Sequence, residues 1–110
     1  MTTYAVFLQD GNSLDYTPAS DLQPGDVVVL GSLIGIATRP IPANTTAGLA
    51  IRGVFRITKL STDNVTAGAV VYWDNTNKRV TLTASGNTRI GLAVAASPAG
   101  QATADVLINS

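Results

Sequence analysis

Apolar residues in this chain come in short runs separated by turn formers, and no segment carries a helical period. The runs are Tyr4 to Leu8, Val27 to Leu30, Leu33 to Ala37, Leu49 to Lys59, Ala69 to Trp73, Arg79 to Thr83, Arg89 to Ala95 and Ala104 to Asn109. Asp10-Gly11-Asn12, Pro24-Gly25-Asp26, Asp63-Asn64, Ser85-Gly86-Asn87 and Pro98-Ala99-Gly100 punctuate them. Runs of this length and spacing predict strands joined by tight turns, hence a small all-β barrel or sandwich. The acidic residues point the same way: all seven are aspartate, and glutamate, which favours helix surfaces, is absent. One domain is expected from 110 residues. Residues 1–17 are expected to form an N-terminal arm or a first strand, and residues 18–110 the β-domain.

Alternation assigns faces to some strands. In "AIRGVFRITK", Ile51, Phe55 and Ile57 fall on one side, and Arg52, Val54, Arg56 and Thr58 on the other. In "RIGLAVAA", Ile90, Leu92 and Val94 point one way, and Gly91, Ala93 and Ala95 the other. "DVVVLGSLIGIA" is apolar on both faces, which predicts a central strand pair or one covered by a neighbour.

Two stretches resemble each other. "LIGIATRPIPANTTAGLAI" and "RIGLAVAASPAGQATADVL" align without a gap, matching Ile34 with Ile90, Gly35 with Gly91, Ala37 with Ala93 and Pro42 with Pro98. The alignment reads as a strand, a Pro-containing loop and a strand used twice, with an extra hairpin in the second copy between Trp73 and Arg89. Chance similarity among Val- and Ala-rich strands is the alternative reading.

Composition closes off several functions. Seven basic and seven acidic residues cancel, so the chain lacks the positive footprint that nucleic acid or an anionic membrane requires. With neither cysteine nor histidine, disulfides, thiolate nucleophiles, the commonest zinc ligands and the usual neutral-pH general base are missing. No Gly-Lys pair exists to make a phosphate loop. No cofactor and no metal are expected. The amino terminus lacks the basic and long apolar regions of a secretory signal, so synthesis in a cytoplasm is expected, and the sequons at Asn44 and Asn64 read as loop sequence.

The one cluster that suggests chemistry is "VYWDNTNKRV", residues 71 to 80. It reads as a β-hairpin whose "DNTN" supplies the turn, because Asp74 has no second acid, base or nucleophile beside it. Arg52 and Arg56, on one strand face, are candidates to grip a partner's carboxylate, with solvated surface as the alternative. Tyr4, Phe7 and Leu8 are candidates for contact with another protein, from an arm that orders on a partner or from an ordinary strand.

Several pieces are familiar together: "GDVV" at Gly25 to Val28, "GVF" at Gly53 to Phe55, "VYWD" at Val71 to Asp74, and Ile90-Gly91 followed by small residues. The chain, from about Phe7 to Asn109, closely resembles the capsid cement, or head decoration, proteins of tailed bacteriophages. Some members carry a recombinase label, for which this sequence, without a phosphate loop, gives no support. The resemblance implies a non-enzymatic virion protein on the outer surface of the expanded head. It also implies the major capsid protein and further copies of itself as partners, with a homotrimer favoured over a dimer. A carbohydrate- or peptide-binding β-module, with Tyr72 and Trp73 as a stacking platform, is the alternative.

Overall fold

The computed structural model describes residues 11–110, and their regular elements are all strands. These are β1 (Ser13–Tyr16), β2 (Val27–Leu30), β3 (Leu33–Ile36), β4 (Ala47–Ala50), β5 (Val54–Thr58), β6 (Val70–Asp74), β7 (Arg79–Thr81), β8 (Thr88–Ala93) and β9 (Thr103–Ile108). They pair antiparallel into two sheets, ordered β1-β4-β3-β2 and β5-β9-β8-β6-β7. The outer strands of the second sheet approach at one parallel bridge, Lys59 to Val80, without closing a barrel. Of the two expected architectures, the chain adopts the sandwich. The expected strand at Tyr4 to Leu8 lies outside the described residues.

The run from Leu49 to Lys59, expected as one strand, is two. β4 ends at Ala50, and Gly53, at φ 124°, turns the chain from the first sheet into the second. That φ is open to glycine and strained for other residues. Beyond the turn the predicted faces hold: Ile57 is buried and Phe55 half-buried, while Val54, Arg56 and Thr58 are exposed.

The repeat is real and larger than the aligned stretches. Unit 1 (β1 to β4) and unit 2 (β5 to β9) have the same strand order, with β5, β6, β8 and β9 in the places of β1, β2, β3 and β4. Their loops repeat bond for bond. Leu22 and Ile41 exchange backbone hydrogen bonds of 2.8 and 2.9 Å, as do Val65 and Ser97 at 2.9 and 2.8 Å. Gly25 N–H donates to Ala37 O at 2.6 Å, and Gly68 N–H to Ala93 O at 2.7 Å. Asn44 N–H donates to Pro18 O at 2.8 Å, and Gly100 N–H to Ser61 O at 2.6 Å. Chance similarity does not produce matched hydrogen bonds. The inserted strand β7 pairs with the edge of β6, whereas the equivalent edge, that of β2, has no strand partner among the described residues.

The equivalence also shows how the sheets stack. We call the face of each sheet that lies under its own loops the front. In unit 1 the front carries Leu49, Ala37, Val28, Leu30 and Tyr16, packed with Leu22 and Ile41 from the loops. In unit 2 the matching residues Ala93, Val71 and Trp73 pack with Val65. That second cluster is completed by Val27, Val29, Ile34 and Ile36, which come from the opposite face, the back, of unit 1. The units are therefore stacked front to back rather than front to front. This is also why "DVVVLGSLIGIA" is apolar on both sides: β2 is an edge strand, but each of its faces lines a core.

The alternation expected for "RIGLAVAA" is overturned. A β-bulge at Ile90 of β8, opposite the step from Val71 to Tyr72 of β6, shifts the register, so that Leu92 opposes Val70 and Arg89, not Ile90, opposes Tyr72. An extra residue reverses the facing of everything beyond it. Ile90 and Ala93 are both buried, and Leu92 and Val94 turn outward.

One side chain ties the units together. Asn109, at φ 57°, accepts a hydrogen bond from Ile34 N–H at 2.9 Å and donates to Ile34 O and Ile51 O, both at 2.7 Å. β3 meets β4 only at Ile36 and Ala50, so the amide takes the place of a missing strand partner for Ile34. Asn109→Asp keeps the acceptor but sets a carboxylate against two carbonyls. We expect it to cost about 2–4 kcal/mol by urea unfolding; a variant as stable as the parent would show that the clamp does not hold the units.

Candidate interaction surfaces

In the hairpin, Trp73 is only 4% exposed and lies in the shared core, its Nε1–H donating to Asn75 Oδ1 at 3.1 Å. Four turn residues, 75–78, follow β6. Asp74 organises them: Oδ1 accepts from the N–H groups of Thr76 and Asn77, both at 3.1 Å, and Oδ2 from Asn77 Nδ2 at 2.7 Å. The aspartate is a turn former, as the sequence suggested. An indole buried in this way cannot stack on a sugar, so Tyr72 and Trp73 do not form the platform that a carbohydrate site would need.

The site residues singled out in the sequence do not converge. Tyr4, Phe7 and Leu8 lie outside the described residues. Arg52 is exposed in the segment joining the units. Arg56, its side chain 73% exposed, forks onto Asp105 of the neighbouring strand, with Nε to Oδ1 at 2.9 Å and Nη2 to Oδ2 at 3.3 Å. Its charge is thus matched within the chain.

A different feature emerges beside that pair on the back of unit 2. Register places Val54 opposite Leu107, Leu107 opposite Leu92, and Leu92 opposite Val70. The four form an apolar row across β5, β9, β8 and β6. Val54 is 57% exposed and Val70 37%, with Leu92 and Leu107 half-buried. Such a row is more than the scattered single apolar residues of an ordinary surface, and rows of this kind mark contact sites. Val54 and Leu92 were visible in the sequence, but only pairing across four strands makes a row of them.

An open cleft of about 340 Å³ lies between the sheets, lined by Val27, Ile36, Phe55, Ile57, Trp73 and Lys78 among others. Among the described residues, no three of Asp, Glu, His or Cys come together as metal ligands. The shifted carboxylates have local causes. Asp74 is held below the usual carboxylate range by hydrogen bonds from the side chain and backbone of Asn77, and Asp105 by its hydrogen bond from Arg56 and that residue's charge.

A depressed folded-state pKa adds stability above the unfolded value, about 3.9 for aspartate, and that stability is lost as pH falls through the folded value. With no histidine to titrate, the thermal midpoint followed by Trp73 fluorescence should stay level between about pH 5 and 8 and decline below about pH 4. A slope across the neutral range would contradict this.

Comparison with known proteins adds a family. The family model described as phage cement protein matches residues 8–108. No curated protein and no solved structure matches the chain.

Proposed function

The chain belongs to the phage cement protein family, a family of structural virion proteins associated with the capsid, and from that premise we propose that it binds the outer surface of the expanded head as a homo-oligomer and bridges neighbouring capsomers. The observation that carries this reading is the family match over residues 8–108. The exposed apolar row on a domain whose tryptophan is committed to the core supports a contact role and weighs against the carbohydrate-binding alternative.

The mechanism is linkage. A subunit that binds only the expanded shell stabilises that state by mass action, and many copies add their effects over the lattice. An oligomer touching several capsomers fixes their spacing, so internal pressure must break its contacts before the shell can rupture. A trimer at local threefold positions is favoured over a dimer at twofold ones. The N-terminal segment with Tyr4, Phe7 and Leu8 is assigned to the major capsid protein or a neighbouring subunit. Arg52 remains a candidate for a partner carboxylate, whereas Arg56 already has one in Asp105.

The test is co-sedimentation of the purified protein with decoration-free expanded heads of its own phage, with unexpanded procapsids as control. Saturable binding to expanded heads alone, at a stoichiometry matching a symmetry site, is the expected result; binding to neither particle overturns the reading. Deleting residues 2 to 12 should sharply lower occupancy, and unchanged occupancy removes the assignment of Tyr4, Phe7 and Leu8.

A further inference from the structure

Front-to-back stacking of two equivalent units uses one front and one back and leaves one of each. The back of unit 1, with Val27, Val29, Ile34 and Ile36, lies on the front of unit 2. The unused back belongs to unit 2. There Val70, Leu92 and Leu107 occupy the places of Val27, Ile36 and Ala50, and with Val54 they form the exposed apolar row. The unused front belongs to unit 1. There Tyr16, Val28 and Leu30 stand where unit 2 has Ile57, Val71 and Trp73; those three are buried, whereas their unit 1 counterparts are half-buried, and the exposed Leu14 lies two residues before Tyr16 on β1.

We propose that a second copy of this chain joins these two faces, the back of unit 2 in one copy lying on the front of unit 1 in the next. The contact between copies then continues the contact between units. The inference rests on the reading of the protein as a self-associating capsid component and specifies the surfaces.

Continuity with the internal interface favours this occupant over any other. Within the chain one such back already lies on one such front. The differences between the two backs suit one that is exposed before assembly. The bulge in β8 withdraws Ile90 into the core and sets Arg89 in the place of Ile34, while Tyr72 stands in the place of Val29. Arg56 beside the row is neutralised by Asp105, and the chain has no net charge, so copies do not repel. A front-to-back contact is heterologous: it joins two different patches and closes into a ring when the rotation allows. A twofold dimer would instead use one patch twice.

That distinction gives the test. Val54→Lys with Val70→Lys blocks the back, and Leu14→Lys with Val28→Lys blocks the front; Trp73 fluorescence checks that each variant is folded. By analytical ultracentrifugation at high micromolar concentration the parent should be oligomeric and each variant alone monomeric. An equimolar mixture should form a dimer, since one intact front meets one intact back. A monomeric parent, an oligomer that survives the back substitutions, or a mixture that stays monomeric overturns the inference. So does a front variant that remains oligomeric but loses head binding, which would assign that face to the capsid. Should the lysine variants not fold, Leu14→Cys with Val70→Cys replaces them: the chain has no other cysteine, and oxidation should yield intermolecular disulfides from the double variant and not from either single one. Failure to bind expanded heads would remove the cement reading whatever these experiments show, so the two failures are distinguishable.

Discussion

Gly91→Ala is expected to leave the protein largely unfolded at room temperature, while the equivalent Gly35→Ala leaves it folded. An added Cβ at Gly91 would lie 2.0 Å from Leu107 O, 2.9 Å from Leu107 C and 3.1 Å from Ile108 Cα, all backbone atoms of the adjacent strand. β8 and β9 are interior strands of the second sheet, so neither can retreat without breaking ladders on its other side. The residue's φ of 157° also lies at the far end of the range that favours glycine. We expect a cost above about 5 kcal/mol, exceptional for a single methyl and larger than the whole stability of a marginal domain, about 5 kcal/mol. At Gly35 the added carbon would meet Leu49 Cδ1 at 2.7 Å and Leu49 Cβ at 3.2 Å. A leucine tip can rotate aside, so the cost there is that of ordinary overpacking, about 1–3 kcal/mol. Urea midpoints of the two variants decide the matter. Equal losses, or a stable Gly91→Ala, would mean that the strands are not held as closely as described.

Those two glycines also mark what could be read from the sequence. Their alignment exposed the repeat, because Ile-Gly pairs and prolines survive at matching positions in side-chain language. The equivalence of β1 and β5 did not show: "SLDY" and "VFRIT" share a place in the sheet through backbone hydrogen bonds, which any residue but proline supplies. β1 itself was overlooked because Leu14 is its one aliphatic residue and its order comes from pairing with β4. β2 and β3 were legible as two separate apolar runs, "VVVL" and "LIGI". The bulge in β8 was hidden for the opposite reason: Ile90, Leu92 and Val94 alternate perfectly, and only the register against β6 shows that the chain does not follow the alternation. Candidate contact residues were legible as types and not as places. Arg56 looked available because Asp105, far along the chain, becomes its neighbour only through the β5–β9 register, and the same register assembles Val54, Leu107, Leu92 and Val70 into one row.

Lys59→Met should produce the other large loss. Lys59 is 3% exposed, and its ammonium donates to three main-chain carbonyls: Asp63 O at 2.8 Å, Ser97 O at 2.8 Å and Pro98 O at 3.0 Å. These oxygens belong to the two loops that cover the front of unit 2, so one side chain pins both. Replacing a buried ion pair by apolar groups is often harmless because both charges leave together. Here the partners are peptide carbonyls, which stay. They do not all become orphans: Ser97 O still accepts from Val65 N–H at 2.9 Å, and Pro98 O from Gln101 N–H at 3.1 Å. Asp63 O has no other backbone donor among the described residues, so the expected cost is that of one lost acceptor and two weakened ones, about 2–4 kcal/mol, not three full penalties. Unit 1 supplies an internal control: its loops are joined instead by Asp21 Oδ1 accepting from Ala43 N–H at 2.8 Å, with Tyr16 on its front. Tyr16→Phe should therefore have little effect, and Lys59→Met a large one, in paired urea denaturation curves. If Lys59→Met proved neutral, water would have to reach those carbonyls, and the loops of unit 2 would not be sealed by the lysine.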